Sequence, residues 1–173
     1  MTNSTEQIYL DATDLKLLDT LQQDASLNNQ TLAERAHVSP PTCLRRVKRL
    51  RDAGLIEREI AVLSPDKLAA ALGLGLTALV EISLDRQGAE LLDAFEARVI
   101  ADDAVQQCYR VSPGPDFVLV AHVADMPGYQ ALAQRLFTSE ANVRNVKAFF
   151  SVKRAKFQPK VLLAQAGRAQ AAI

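Results

Sequence analysis

Residues 35–51 carry Arg35, Arg45, Arg46, Lys48, Arg49 and Arg51 and no acid. Inside that run the short side chains come first and the long cations follow: Ser39, Pro41 and Thr42, then Arg45, Arg46, Lys48 and Arg49. On a helix this order suits major-groove reading. Hydroxyls near the N-terminal end approach base edges, while guanidinium forks one or two turns later clasp a guanine edge or a phosphate. A charge run is more often a solvated face, so the surrounding elements must decide. A second basic stretch begins at Arg144 and continues through Lys147, Lys153, Arg154, Lys156, Lys160 and Arg168. Residues 1–34 are the opposite, with Lys16 alone against Glu6, Asp11, Asp14, Asp19, Asp24 and Glu34.

Residues for catalysis are sparse. His37 and His122 are far apart and neither has a His, Cys or Asp neighbour at ligand spacing, so no metal site is expected. Asp102-Asp103 reads as a solvated turn, and Gly73-Leu74-Gly75 is too short for a dinucleotide-binding loop. Cys43 and Cys108 form no CxxC pair and read as reduced, packed thiols in a cytoplasmic protein. No enzyme and no cofactor is expected.

Leu15, Leu17, Leu18 and Leu21 stripe a first helix from Leu10 to Gln23, capped by Asp11 or Thr13. A second helix runs from about Gln30 to Ala36, with Asn28, Asn29 or Thr31 as its cap. His37-Val38-Ser39 makes a short turn. Ser39 followed by Pro40 and Pro41 starts a third helix that Gly54 ends near Ala53. Leu44, Val47 and Leu50 are placed inward on it, and Thr42, Arg45, Arg46, Lys48 and Arg49 outward. Glu57–Leu63 alternates like a short wing strand. Beyond a short helix at Ser64-Pro65-Asp66, the remainder reads as β-α-β twice over. Its strands are Thr77–Leu84, Val105–Val111, Phe117–Val123 and Val143–Val152, and its helices Ala89–Val99 and Gly128–Phe137.

The chain has 173 residues and 18.9 kDa, is 49% hydrophobic and 23% charged, and has a formal net charge of zero. That composition excludes global disorder and suits two small domains. The longest apolar stretch, Leu68 to Val80, is too short for a membrane span, and Met1–Glu6 shows no export signal. The expected architecture is α+β: a winged helix-turn-helix over 1–63, a linker over 64–73, and a ferredoxin-like βαββαβ module over 74–173. Two helices on one sheet face leave the other bare, and self-association is the economical way to cover it.

Residues 10–63 resemble the DNA-binding half of the Lrp/AsnC family of transcription regulators. The resemblance rests on Leu32-Ala33-Glu34-Arg35-Ala36, Val38-Ser39-Pro40, and above all Cys43 to Leu50 with Gly54-Leu55-Ile56. Val80-Glu81-Ile82, Gln107 to Ser112, Asp116 to Leu119 and Asp125-Met126 resemble that family's effector-binding (RAM-type) module. The resemblance implies a sequence-specific regulator binding double-stranded DNA as a homodimer, or a higher assembly such as an octamer, with an amino acid as effector. It places the effector at Ser112, Gly114, Pro115 and Asp116, facing Val146 and Ala148 of a neighbouring subunit. Val146 and Ala148 stand where the family often has hydroxyls, which implies an apolar amino acid. Pro113 replaces the first Gly of the family's Gly-x-x-Asp loop, and His37 replaces a turn Gly, a substitution His tolerates in left-handed backbone. The other reading of the same residues is a metabolite-binding module whose helical head docks on protein rather than DNA.

Overall fold

The computed structural model describes residues 8–73, 75–138 and 142–163. Residues 1–7 and Arg168 lie outside that set, as does Leu74 between the paired glycines. The chain divides into two compact units, residues 1–61 together with the tail from Phe157, and residues 62–156. Among the described residues of the tail, Lys160 and Val161 contact α1 and the residue after it, Gln22.

The head holds α1 (Ala12–Leu21), α2 (Asn29–Ala36) and α3 (Pro40–Asp52). Their start signals are local. Asp11 caps α1 in a reciprocal box with Asp14, Asn28 caps α2, and Ser39 caps α3 ahead of its two prolines. His37 adopts the left-handed conformation (φ 57°) that ends α2 and turns the chain into α3. Gly54 (φ 71°) lets Leu55 N–H return to Leu50 O at 3.1 Å, closing α3. Leu17, Leu32, Ala33, Ala36, Cys43, Val47 and Leu50 form the core, with Ile56 packed against it.

Two expectations for the head are corrected. Leu44 is not inward but 60% exposed, because the inward stripe of α3 runs through Cys43, Val47 and Leu50 instead. Glu57–Leu63 forms no strand, since it finds no ladder partner among the described residues of the chain, and Ile60, Val62 and Leu63 stay exposed.

The second unit opens with α4 (Pro65–Leu72), inside the expected linker, and continues β1 (Leu76–Leu84), α5 (Ala89–Ile100), β2 (Val105–Arg110), β3 (Phe117–Val123), α6 (Met126–Ala133) and β4 (Val143–Phe150). A wider, π-type turn at Gln134–Thr138 extends α6. The sheet is antiparallel in the order β2-β3-β1-β4, the split βαβ arrangement. Alternation sorts β1 cleanly. Ala78, Val80, Ile82 and Leu84 are buried beneath Phe95 and Val99 of α5 and Leu132 of α6. The opposite face carries Leu79, Val120 and Phe149 in register across three strands, with Tyr109 beside Val118. Leu79 and Phe149 are 41% and 54% exposed. No described helix is long and apolar enough to cross a membrane.

Candidate DNA interface and effector loop

The N-terminal end of α3 is built by short-range hydrogen bonds. Ser39 Oγ accepts from Thr42 N–H at 3.4 Å and its hydroxyl pairs with that of Thr42 at 2.8 Å. Asn29 donates from its side chain to Pro40 O at 2.9 Å, tying the start of α2 to the start of α3. Ser39, Pro40 and Pro41 are exposed and Thr42 is half-buried, so this end of the helix is open.

The cations of α3 are not equivalent. Arg46 does not face outward: its guanidinium bridges Asp11 at 2.7 Å and Asp14 at 2.9 Å on α1. Arg49 also pairs with Asp14, whose side chain is only 1% exposed. Two arginines and the capping box therefore neutralise one buried carboxylate. The Asp14 backbone N–H, followed by Arg46, holds the Asp11 carboxyl below its ordinary range, and the two aspartates push the Arg46 guanidinium up. Lys48 pairs with Asp52 one turn on at 2.6 Å, and Arg51 pairs with Glu59 of the extended segment. Arg45 is exposed and makes no ion pair or hydrogen bond among the described residues.

Sequence reasoning read Asp11 as a candidate cap alone, and missed its ion pair and that of Asp14 with α3. The signal was present in the charge pattern: an acidic first helix faces a basic third helix across one small core.

The loop Ser112–Asp116 is fastened to the sheet. Asp116 N–H donates to Ile82 O at 2.8 Å, its Oδ2 accepts from Leu84 N–H at 2.7 Å, and its carbonyl accepts from Val111 N–H at 3.0 Å. Asp116 is thus a clasp between loop and β1. Ser112, Pro113 and Gly114 are exposed, with Gly114 at φ 130° and the Ser112–Pro113 bond cis. Pro113 and Pro115 carry no N–H, which leaves Ser112 and Gly114 as the loop's exposed donors. Val146 and Ala148 pair with Ile82 and Val80 and pack against the core cluster while staying half-buried. Within one chain they are core residues first, not walls of an open pocket.

Burial pushes the Cys43 thiol up, and burial followed by Glu96 does the same for Cys108. No metal-holding cluster of His, Cys, Asp or Glu occurs among the described residues.

Comparison with known proteins gives this geometry its context. Residues 10–57 match the winged helix-turn-helix DNA-binding family and residues 77–161 the Lrp/AsnC ligand binding domain. The chain is 35% identical over 154 residues to a helix-turn-helix transcriptional regulator of Haemophilus influenzae, covering 89% of each chain. It is 35% identical to the leucine-responsive regulatory protein of Rhizobium meliloti, covering 87% of this chain and 94% of that one. Among solved structures, a transcriptional regulator of Neisseria meningitidis in complex with L-Met superposes with a TM-score of 0.80 and 32% identity, covering 91% of this chain and 99% of that one. With a DNA-binding head at one end and a ligand-binding module at the other, the chain belongs to the Lrp/AsnC family of transcriptional regulators.

Proposed function

We propose that the protein binds its operators through the open face of α3, as a homodimer or a higher assembly such as an octamer in the cytoplasm, and that an apolar amino acid tunes it. The observation that carries the DNA assignment is Arg45, an exposed and unpaired guanidinium one turn from an open, proline-started helix end. Ser39, Pro41 and Thr42 lie at the base-facing end. Exposed Lys48 turns from Asp52 toward a phosphate, an exchange that costs little for a solvated pair, while Arg49 keeps its bond to buried Asp14 and offers a phosphate its remaining N–H groups. Arg46 stays with α1 and orients the helix instead of touching DNA.

The bare sheet face around Leu79, Val120 and Phe149 supports the dimer, because burying it against its own copy forms a two-fold contact. Two heads so related span half-sites about one helical turn apart, or a multiple of that. For the effector, the exposed N–H groups of Ser112 and Gly114 suit a carboxylate. The acceptor sites of Asp116 not used by Leu84 suit an ammonium. The L-Met complex of the Neisseria relative supports an apolar side chain.

Two measurements test this reading. DNA fragments captured from the source genome should bind with an affinity that falls steeply with salt, whereas a head that docks on protein would show little salt dependence. Calorimetry against the twenty amino acids should find leucine, methionine, valine or alanine ahead of asparagine and lysine, and binding of charged ones alone would sink the effector assignment.

A further inference from the structure

We propose that Leu44 is a base-reading residue that identifies thymine through its 5-methyl group. The proposal rests on the DNA assignment of α3 above and adds to it the kind of base the helix selects.

Leu44 is the large apolar residue of α3 that the head core does not use. Cys43, Val47 and Leu50 are buried, while Leu44 stands 60% exposed in the second turn, three and four positions beyond Pro41 and Pro40. Pro40 and Pro41 are exposed too, so the first turns of the helix present carbon beside the hydroxyls of Ser39 and Thr42. The prolines have no N–H to offer, and the Ser39 hydroxyl donates to that of Thr42 at 2.8 Å, which leaves the half-buried Thr42 hydroxyl as the remaining donor of this first turn. The charged group open on this part of the helix is the Arg45 guanidinium, adjacent in sequence to Leu44.

Major-groove chemistry offers one apolar landmark to such a surface. The thymine methyl projects into the groove where cytosine has only hydrogen, and side-chain carbon is its natural complement. A lone exposed leucine needs no explanation on an ordinary surface. On the helix proposed above to enter the groove, an exposed leucine in the second turn has a partner to meet. The expected site element is therefore a thymine under Leu44 next to a guanine or phosphate clasped by Arg45.

The test uses the full chain and duplexes selected from a random-sequence library by the wild-type protein. Each thymine of the selected half-site is replaced singly by deoxyuridine, which deletes the methyl and nothing else. At one or two positions the replacement should weaken wild-type binding about four-fold, the factor one buried methyl-sized group supplies. Leu44→Ala should bind thymine and uracil duplexes equally at those positions and keep the wild-type salt dependence, and Leu44→Met should restore part of the discrimination. Alanine suits an exposed helix position, so the variant should stay folded. Uracil tolerated at every position, or discrimination that survives in Leu44→Ala, would overturn the proposal. So would Leu44→Ala changing the sedimentation of the DNA-free protein, because the side chain would then serve self-association. A wild-type protein that selects no duplex at all marks failure of the DNA assignment itself.

Discussion

Arg45 and Arg46 are neighbours of the same type with different work to do, and only the structure separates them. Spacing shows a basic helix; it does not show that Asp11 and Asp14 sit within 3 Å of Arg46, since that depends on how α1 crosses α3. Arg45→Ala should leave stability near wild type, weaken DNA binding and lower the salt slope by about one unit, read from binding isotherms at several salt concentrations. Arg46→Ala should do the reverse, costing about 1–3 kcal/mol in denaturant unfolding because buried Asp14 loses a partner. The Asp11 carboxyl, held below its ordinary 3.8 by the Asp14 N–H and by Arg46, adds a pH signature. Its stabilising contribution is complete above 3.8 and is lost as pH falls through the depressed value, so acid unfolding of the head should begin below 3.8 and be shallower in Asp11→Asn. Leu44 was misplaced for a related reason. An apolar residue at helical spacing is assigned to the core by default, and here the core stripe passes one position to the side.

Elements were far more legible than contacts. Phe117–Val123, the end of β1 and the starts of β2, β4 and α5 follow from period-two and period-3.6 patterns alone, because sheet alternation and helix stripes are local. Asn28 emerges as the α2 cap because its side chain reaches Thr31 N–H at 2.9 Å, a choice spacing could not make. The wing was not legible, since a strand exists only where a partner pairs with it. Nor was the tail: Lys160 meets Asp19 at 2.9 Å, and the Gln22 amide exchanges two hydrogen bonds with the backbone of Val161, at 2.9 and 3.0 Å, across almost the whole sequence. Gln22→Ala should release this strap. Hydrogen exchange over residues 157–163 and cleavage after Lys156 should both accelerate, with exchange in the sheet of the second unit unchanged.

For the whole molecule, the test of assembly is a charge on the bare sheet face. Leu79→Lys leaves the buried side of β1 untouched, so the second unit should still fold, and sedimentation should show monomers for the variant but a dimer or larger species for the wild type if the proposed assembly uses this face. Affinity for a two-half-site duplex should drop sharply while that for a single half-site changes little. The division of the chain has a last consequence, for biosynthesis. The head joins α1, α2 and α3 to residues 157–163, with the ligand-binding unit between them in sequence. A ribosome releases α1, α2 and α3 before the ligand-binding unit, and the residues that bind Asp19 and Gln22 after it. Any product cut short within the ligand-binding unit would therefore carry a recognition helix yet lack the segment that completes its own head. The DNA-binding part of this protein is finished only after its sensing part has been made.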